Sequence, residues 1–102
     1  MTSRPKHTRK DRNHRQLVRE CEQIGIVVWD LADIGGKICD TLMMWRGRCI
    51  PVEIKQPGKR DELTDGERDG LAECAGVGVD WVIAERLEDV LVAFGAMKEE
   101  AL

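Results

Sequence analysis

The sequence predicts a small α/β domain in which helices and strands follow in the order α-β-β-β-α-β-α, with a central mixed sheet flanked by helices. Three observations carry that prediction. Apolar stripes at helical spacing alternate along the chain with short β-branched runs. Two neighbouring strand candidates are split only by Arg46-Gly47-Arg48, which is hairpin spacing. At 102 residues there is room for one domain with one modest core, which excludes a large enzyme with its own cofactor domain.

The elements follow in order. Residues 1–10 read as a flexible basic arm, with Pro5 and no periodic apolar signal. From Asp11 the pattern turns helical: Leu17, Cys21 and Ile24 recur at i, i+4 and i+7, Val18 widens the stripe, and Gly25 is a fitting stop. Ile26-Val27-Val28-Trp29 reads as a buried strand, and Asp33 to Lys37, with the Gly35-Gly36 pair, as a loop. Strands are expected over Ile38–Trp45 and Cys49–Lys55, and Gln56-Pro57-Gly58-Lys59-Arg60 ends the second. Thr64-Asp65-Gly66-Glu67 fits a capping box opening a helix through Leu71, Cys74 and Ala75. Val79–Ala84 is the last strand, and Leu87, Val90, Leu91 and Phe94 space a final helix closed by Gly95. The domain therefore spans 11–95, with an acidic tail over 96–102.

With 42% hydrophobic and 34% charged residues, the chain is neither a disordered tail nor a membrane protein. The net charge of −3 hides a gradient, +6 over residues 1–19 and −9 over residues 61–102. A basic arm on an acidic body suits contact with a polyanion, and suits equally a solvated terminus. Cys21, Cys39, Cys49 and Cys74 form no C-x-x-C pair, and His7 and His14 supply no close ligand pair. They read as structural thiols of a reducing cytosol rather than a zinc site. No secretory h-region follows Met1, so the cytoplasm is the expected compartment.

The hairpin holds the chemistry. Ile50, Val52 and Ile54 share one strand face, and Pro51, Glu53 and Lys55 the other. A lone E-x-K is usually a strand with one wet face. Asp40 makes this one less ordinary. With an even-numbered turn (Arg46-Gly47, or Trp45 to Arg48) Asp40 falls directly across from Glu53, whereas a three-residue turn would put it on the opposite face. Two opposed carboxylates are unfavourable unless a cation sits between them, and with a nearby lysine they suit a hard divalent ion that also holds a phosphate.

At these residues the sequence resembles the PD-(D/E)xK nuclease superfamily, and its context is similar to the small VRR-NUC branch found as stand-alone phage and bacterial proteins. The likeness runs from about Asp11 to Phe94. It comprises Asn13, Gly36 before Asp40, Arg46-Gly47-Arg48, Glu53-Ile54-Lys55, Leu63-Thr64 with Glu67, and Leu87-Glu88-Asp89-Val90-Leu91. The resemblance implies a restriction-endonuclease-like fold and metal-dependent endonucleolytic hydrolysis of DNA, with branched, flap or junction structures as candidate substrates. Asp40, Glu53 and the Ile54 backbone carbonyl would ligate Mg²⁺ or Mn²⁺, and Lys55 would orient or activate water. Three positions depart from the family pattern: Cys39 stands where proline is usual, Gln16 where the first helix commonly offers a glutamate, and Glu67 where glutamine is frequent. Glu20, one turn beyond Gln16, is a candidate substitute ligand, while Glu67 is read first as a capping residue.

Arg9, Lys10, Arg12, Arg46, Arg48, Lys59 and Arg60 are candidate phosphate contacts. Trp29, Trp81 and Phe94 read as core, and Trp45 at the hairpin tip as a candidate for stacking on a base or a second subunit. A small core with exposed hairpin edges is compatible with a homodimer. The alternative to an enzyme is a nucleic-acid-binding module on the same fold that has lost turnover, with Gln16 as the motivating defect.

Overall fold

The computed structural model describes residues 12–98, so Arg9, Lys10, the rest of the arm and the end of the tail lie outside the described residues. The elements are α1 (Arg12–Gln23), β1 (Val27–Asp30), β2 (Thr41–Trp45), β3 (Arg48–Ile54), α2 (Asp65–Gly76), β4 (Val82–Ala84) and α3 (Leu87–Ala93). Their order is the expected one. The sheet runs β1-β2-β3-β4 in space, with the β1–β2 and β2–β3 pairs antiparallel and the β3–β4 pair parallel, which makes it mixed. No helix among the described residues is long and apolar enough to cross a membrane.

The β2–β3 turn has two residues, Arg46 and Gly47, both with positive φ (53° and 75°). That is the backbone twist a two-residue hairpin needs, and it pairs Trp45 with Arg48 and Thr41 with Val52. The register divides the sheet into two faces. Met43, Ile50, Val52, Ile54 and Ala84 turn to one side, where Leu17 and Cys21 of α1 and Val90 and Phe94 at α3 complete the core.

The other face is only partly covered, and β1 is where the expectation fails. As an edge strand it leaves Val27 52% and Trp29 58% exposed, so it is not a buried strand and Trp29 is not a core residue. A β-branched run records strand propensity, but burial depends on which neighbours arrive. Trp81 and Phe94 are buried as expected. Ile24 lies past the end of α1 and is exposed; of the cysteines, Cys49 is exposed and Cys74 half-buried. The second and last strands start later than expected, at Thr41 and Val82.

Candidate active site

Continuing the hairpin register one step beyond Thr41 and Val52 brings Asp40 opposite Glu53. The two residues are cross-linked through the backbone. Asp40 N–H donates to Glu53 Oε1 at 3.1 Å, and Ile54 N–H donates to Asp40 Oδ2 at 2.9 Å. The Asp40 carbonyl accepts from Leu31 N–H at 2.7 Å, which ties the loop after β1 to the same point. Glu53 is 1% exposed, so the ordinary reading of E-x-K as a wet strand face does not hold here.

Lys55 extends from the same face. Its Nζ lies 3.0 Å from Glu67 Oε1 and 3.7 Å from Glu53 Oε2. Glu67 makes the expected capping box, with Glu67 N–H donating to Thr64 Oγ1 at 3.1 Å and Thr64 N–H donating to Glu67 Oε1 at 2.9 Å. One oxygen thus serves both the helix cap and the lysine. The cap and a contact with Lys55 are therefore made by the same carboxylate.

Close approach of α2 makes this possible. A Cβ on Gly70 would lie 1.9 Å from the Lys37 carbonyl oxygen, and one on Gly66 would lie 2.6 Å from the Gly36 carbonyl oxygen. These two glycines, one turn apart, let the helix rest directly on the loop that leads to Asp40.

Burial dominates the electrostatics. Desolvation, reinforced by Asp40 and Glu67, pushes Glu53 up to about 9. Desolvation also raises Asp40, against the pull of the Ile54 N–H, His14 and Lys55. Burial works to lower Lys55, but Glu67, Glu53 and Asp40 outweigh it, so its ammonium is held above the usual lysine range. Burial likewise works to raise Glu67, and the Thr64 N–H, a hydrogen bond with Glu53, and Lys55 bring it below the usual range. Burial thus favours the protonated form of Glu53, while its neighbours favour the ionised form of Glu67, with the Lys55 ammonium beside both.

The helix contribution differs from the expected one. Gln16 donates to Glu20 Oε2 at 3.1 Å, and both face a hollow shared with Glu85, Leu87 and Glu88. Among the described residues neither makes a hydrogen bond or ion pair with Asp40 or Glu53. Asn13 and His14 approach the site instead. Asn13 Nδ2 donates to the carbonyls of Lys55 (2.8 Å) and Glu85 (3.2 Å), pinning α1 to the ends of β3 and β4. His14 is 6% exposed, and its Nε2 lies 3.0 Å from Asp30 Oδ2. His14 and Asp30 have no place in the sequence-based site. The available signal was spacing: His14 sits three residues before Leu17 and seven before Cys21, on the buried stripe.

Several expected phosphate contacts have structural duties. Arg48 Nη1 donates to the Ala93 carbonyl at 3.0 Å, and Arg60 Nη2 to the Ile83 carbonyl at 2.8 Å. Arg46 stacks 4.5 Å over the Trp45 ring, and Lys59 pairs with Glu62 at 3.7 Å. Trp45 itself packs edge-on against Phe94, with ring centroids 5.7 Å apart, so it belongs to the border of the core rather than to a free tip.

A divalent cation fits these residues. Mg²⁺ takes oxygen ligands, needs only one or two carboxylates, and keeps several waters. Among the described residues no group of three or more His, Cys, Asp or Glu side chains forms a cage, while Asp40 and Glu53 offer hard oxygens on one face, and a bound cation would favour the ionised form of both against the burial that raises them. In comparisons with known proteins the chain matches no family model, no curated protein and no solved structure.

Proposed function

We propose that the chain is a metal-dependent nuclease that hydrolyses DNA phosphodiester bonds on a restriction-endonuclease-like fold. The observation that carries this reading is the pairing of half-buried Asp40 with buried Glu53, opposite each other on one face of the hairpin, with the Lys55 ammonium beside them. Asp40, Glu53 and the Ile54 carbonyl would hold Mg²⁺ or Mn²⁺. When bound, the ion supplies Lewis-acid polarisation of the phosphate and a more acidic water at neutral pH.

The chain's own residues divide the remaining work. Lys55 has its pKa above the usual range, so it acts as a cation and N–H donor toward phosphate oxygens and does not take a proton from water. Glu67 fixes Nζ from the first turn of α2, and Asn13 fixes the backbone of the same lysine from α1. Two elements that are distant in sequence thus position one side chain.

Cleavage of a labelled panel (duplex, single strand, flap, four-way junction) in Mg²⁺, in Mn²⁺ and in EDTA tests the reading. Asp40→Asn and Glu53→Gln are expected to lose roughly 10²-fold or more of the rate while keeping the fold. Normal cutting by both variants would reject the site. Binding without cutting by the wild type would support the alternative, a binding module without turnover. Gln16 lies outside the carboxylate cluster, so its identity does not weigh for that alternative. The same proposal places the protein in the cytosol of a bacterial or phage-infected cell, where its DNA substrate is. It also includes a homodimer, for which exposed Val27 and Trp29, on one face of the edge strand β1, have suitable chemistry. Sedimentation equilibrium against protein concentration, with Trp29→Glu as comparison, tests that part.

A further inference from the structure

Helix α1 buries His14, Leu17 and Cys21. At about 3.6 residues per turn its opposite side carries Arg12, Arg15, Gln16, Arg19 and Gln23, while its two acids, Glu20 and Glu22, fall on the flanks. The outward row is therefore basic and amide-bearing along its length. The guanidinium groups of Arg12 and Arg19 make no hydrogen bond or ion pair among the described residues. They contrast with Arg48 and Arg60, whose guanidinium groups hold backbone carbonyls.

Three hollows open beside this row, and the one that Gln16 and Glu20 face is acidic, with Glu85 and Glu88, and bounds the row on that side. Of the other two, one, of about 360 Å³, is lined by Arg12, Asn13, Gln16, Gln56 and Pro57 and contains no acid. The other, also about 360 Å³, lies between Arg15, Val18, Arg19, Glu22 and Asp30. The first adjoins the candidate active site through covalent and hydrogen-bonded links. Gln56 follows Lys55 in the chain, and Asn13 donates to the Lys55 carbonyl at 2.8 Å. From Arg12 to Arg19 the row covers about 10 Å of helix axis, the rise of about three phosphates of one strand at roughly 3.4 Å each.

We propose that the outer row of α1 is a binding track for the phosphodiester backbone of DNA, leading from the Asp40–Glu53 site along the helix. The identity of the strand rests on the nuclease reading; the polyanion chemistry of the row does not. The sequence supports continuity as well, since Arg4, Lys6, Arg9 and Lys10 immediately precede α1. Asp30 and Glu22 border the far hollow and orient the track by repulsion, which leaves the Arg12 end as the tighter phosphate position.

The test is binding of the full chain to a fluorescein-labelled DNA duplex in EDTA, titrated at several salt concentrations. Each phosphate contact contributes about 0.9 to the slope of log K against log salt. Arg12→Gln/Arg19→Gln is expected to lower the slope by about 2, and the triple variant with Arg15→Gln by about 3. Circular dichroism melts confirm folding, and should the triple variant not fold, the double variant decides. Wild-type slope and affinity in the double variant would overturn the track, as would a wild type that does not bind DNA. Cleavage by the wild type together with unaltered binding in the variants would overturn the track and leave the nuclease reading standing. Row-dependent binding without cleavage in either metal would do the reverse.

Discussion

Glu53 combines nearly complete burial with a carboxylate neighbour, and both features disfavour its ionised form. The consequence for stability has a definite sign. A folded-state pKa raised from the usual carboxylate range to about 9 means the folded protein binds the proton more tightly than the unfolded chain. That contribution is fully present below the ordinary glutamate pKa and is lost as pH rises toward 9. Asp40, also raised, adds in the same direction, while the lowered Glu67 acts at the acidic end of the range. In EDTA the melting temperature is therefore expected to fall between pH 5 and pH 8.5, each kcal/mol lost lowering it by roughly 4–8 °C in a domain of this size. Glu53→Gln should flatten the profile, and Mg²⁺ should restore stability mainly at the alkaline end. A melting temperature independent of pH in both proteins would contradict the burial argument.

Lys55 belongs to the same scale. Lys55→Ala removes the cation without removing a carboxylate oxygen, so Mn²⁺ binding measured by calorimetry should persist while the cleavage rate falls roughly 10²-fold. Equal loss of both would make Lys55 a structural residue. Asp40 and Glu53 were legible in the sequence because strand alternation and hairpin spacing are local rules. The meeting of Glu67 with Lys55 beside Glu53 was not, because it needs α2 to approach from outside the hairpin.

Elements differ in how much of their own placement they carry. The β2–β3 hairpin is self-specifying, since the positive φ values at Arg46 and Gly47 select a two-residue turn and with it the register. Helix α2 is different. Its capping box was readable, but its docking depends on Gly66 and Gly70 lying flat against the backbone at Gly36 and Lys37. Adding a methyl group at Gly70 meets a carbonyl that cannot yield without moving the loop. Gly70→Ala is expected to destabilise the domain by about 1–3 kcal/mol, although alanine is the better helix former, and to reduce cleavage through the displaced Glu67. A urea midpoint at or above that of the wild type would show that the helix is not seated there.

Across the whole molecule the sheet has one well-packed face and one open face. Met43, buried against Cys21 of α1, is expected to lose about 2–5 kcal/mol on truncation to alanine. Trp29→Ala, despite removing a larger side chain, should cost less than about 1 kcal/mol, because more than half of that residue already faces solvent. Comparable losses in urea unfolding would mean that the open face is covered in solution. The same asymmetry separates functions in space. The core lies under α1 and α3, and the carboxylates lie at the border of the opposite face, where Asp40, Glu53 and Lys55 are brought together.

By itself the sequence determined the order of elements, the capping box of Thr64 and Glu67, and the alignment of Asp40 with Glu53 for an even-numbered turn, which the structure then selected. Each follows from interactions within a few residues or across one tight hairpin, where backbone geometry leaves few choices. The tertiary structure alone decided that Glu53 is buried and Trp29 exposed. It alone decided that His14 and Asn13, rather than Gln16 or Glu20, face the site, and that Glu67 reaches Lys55. Those outcomes depend on which surfaces meet between elements far apart in the chain, and desolvation is a property of the assembled environment that no local pattern encodes.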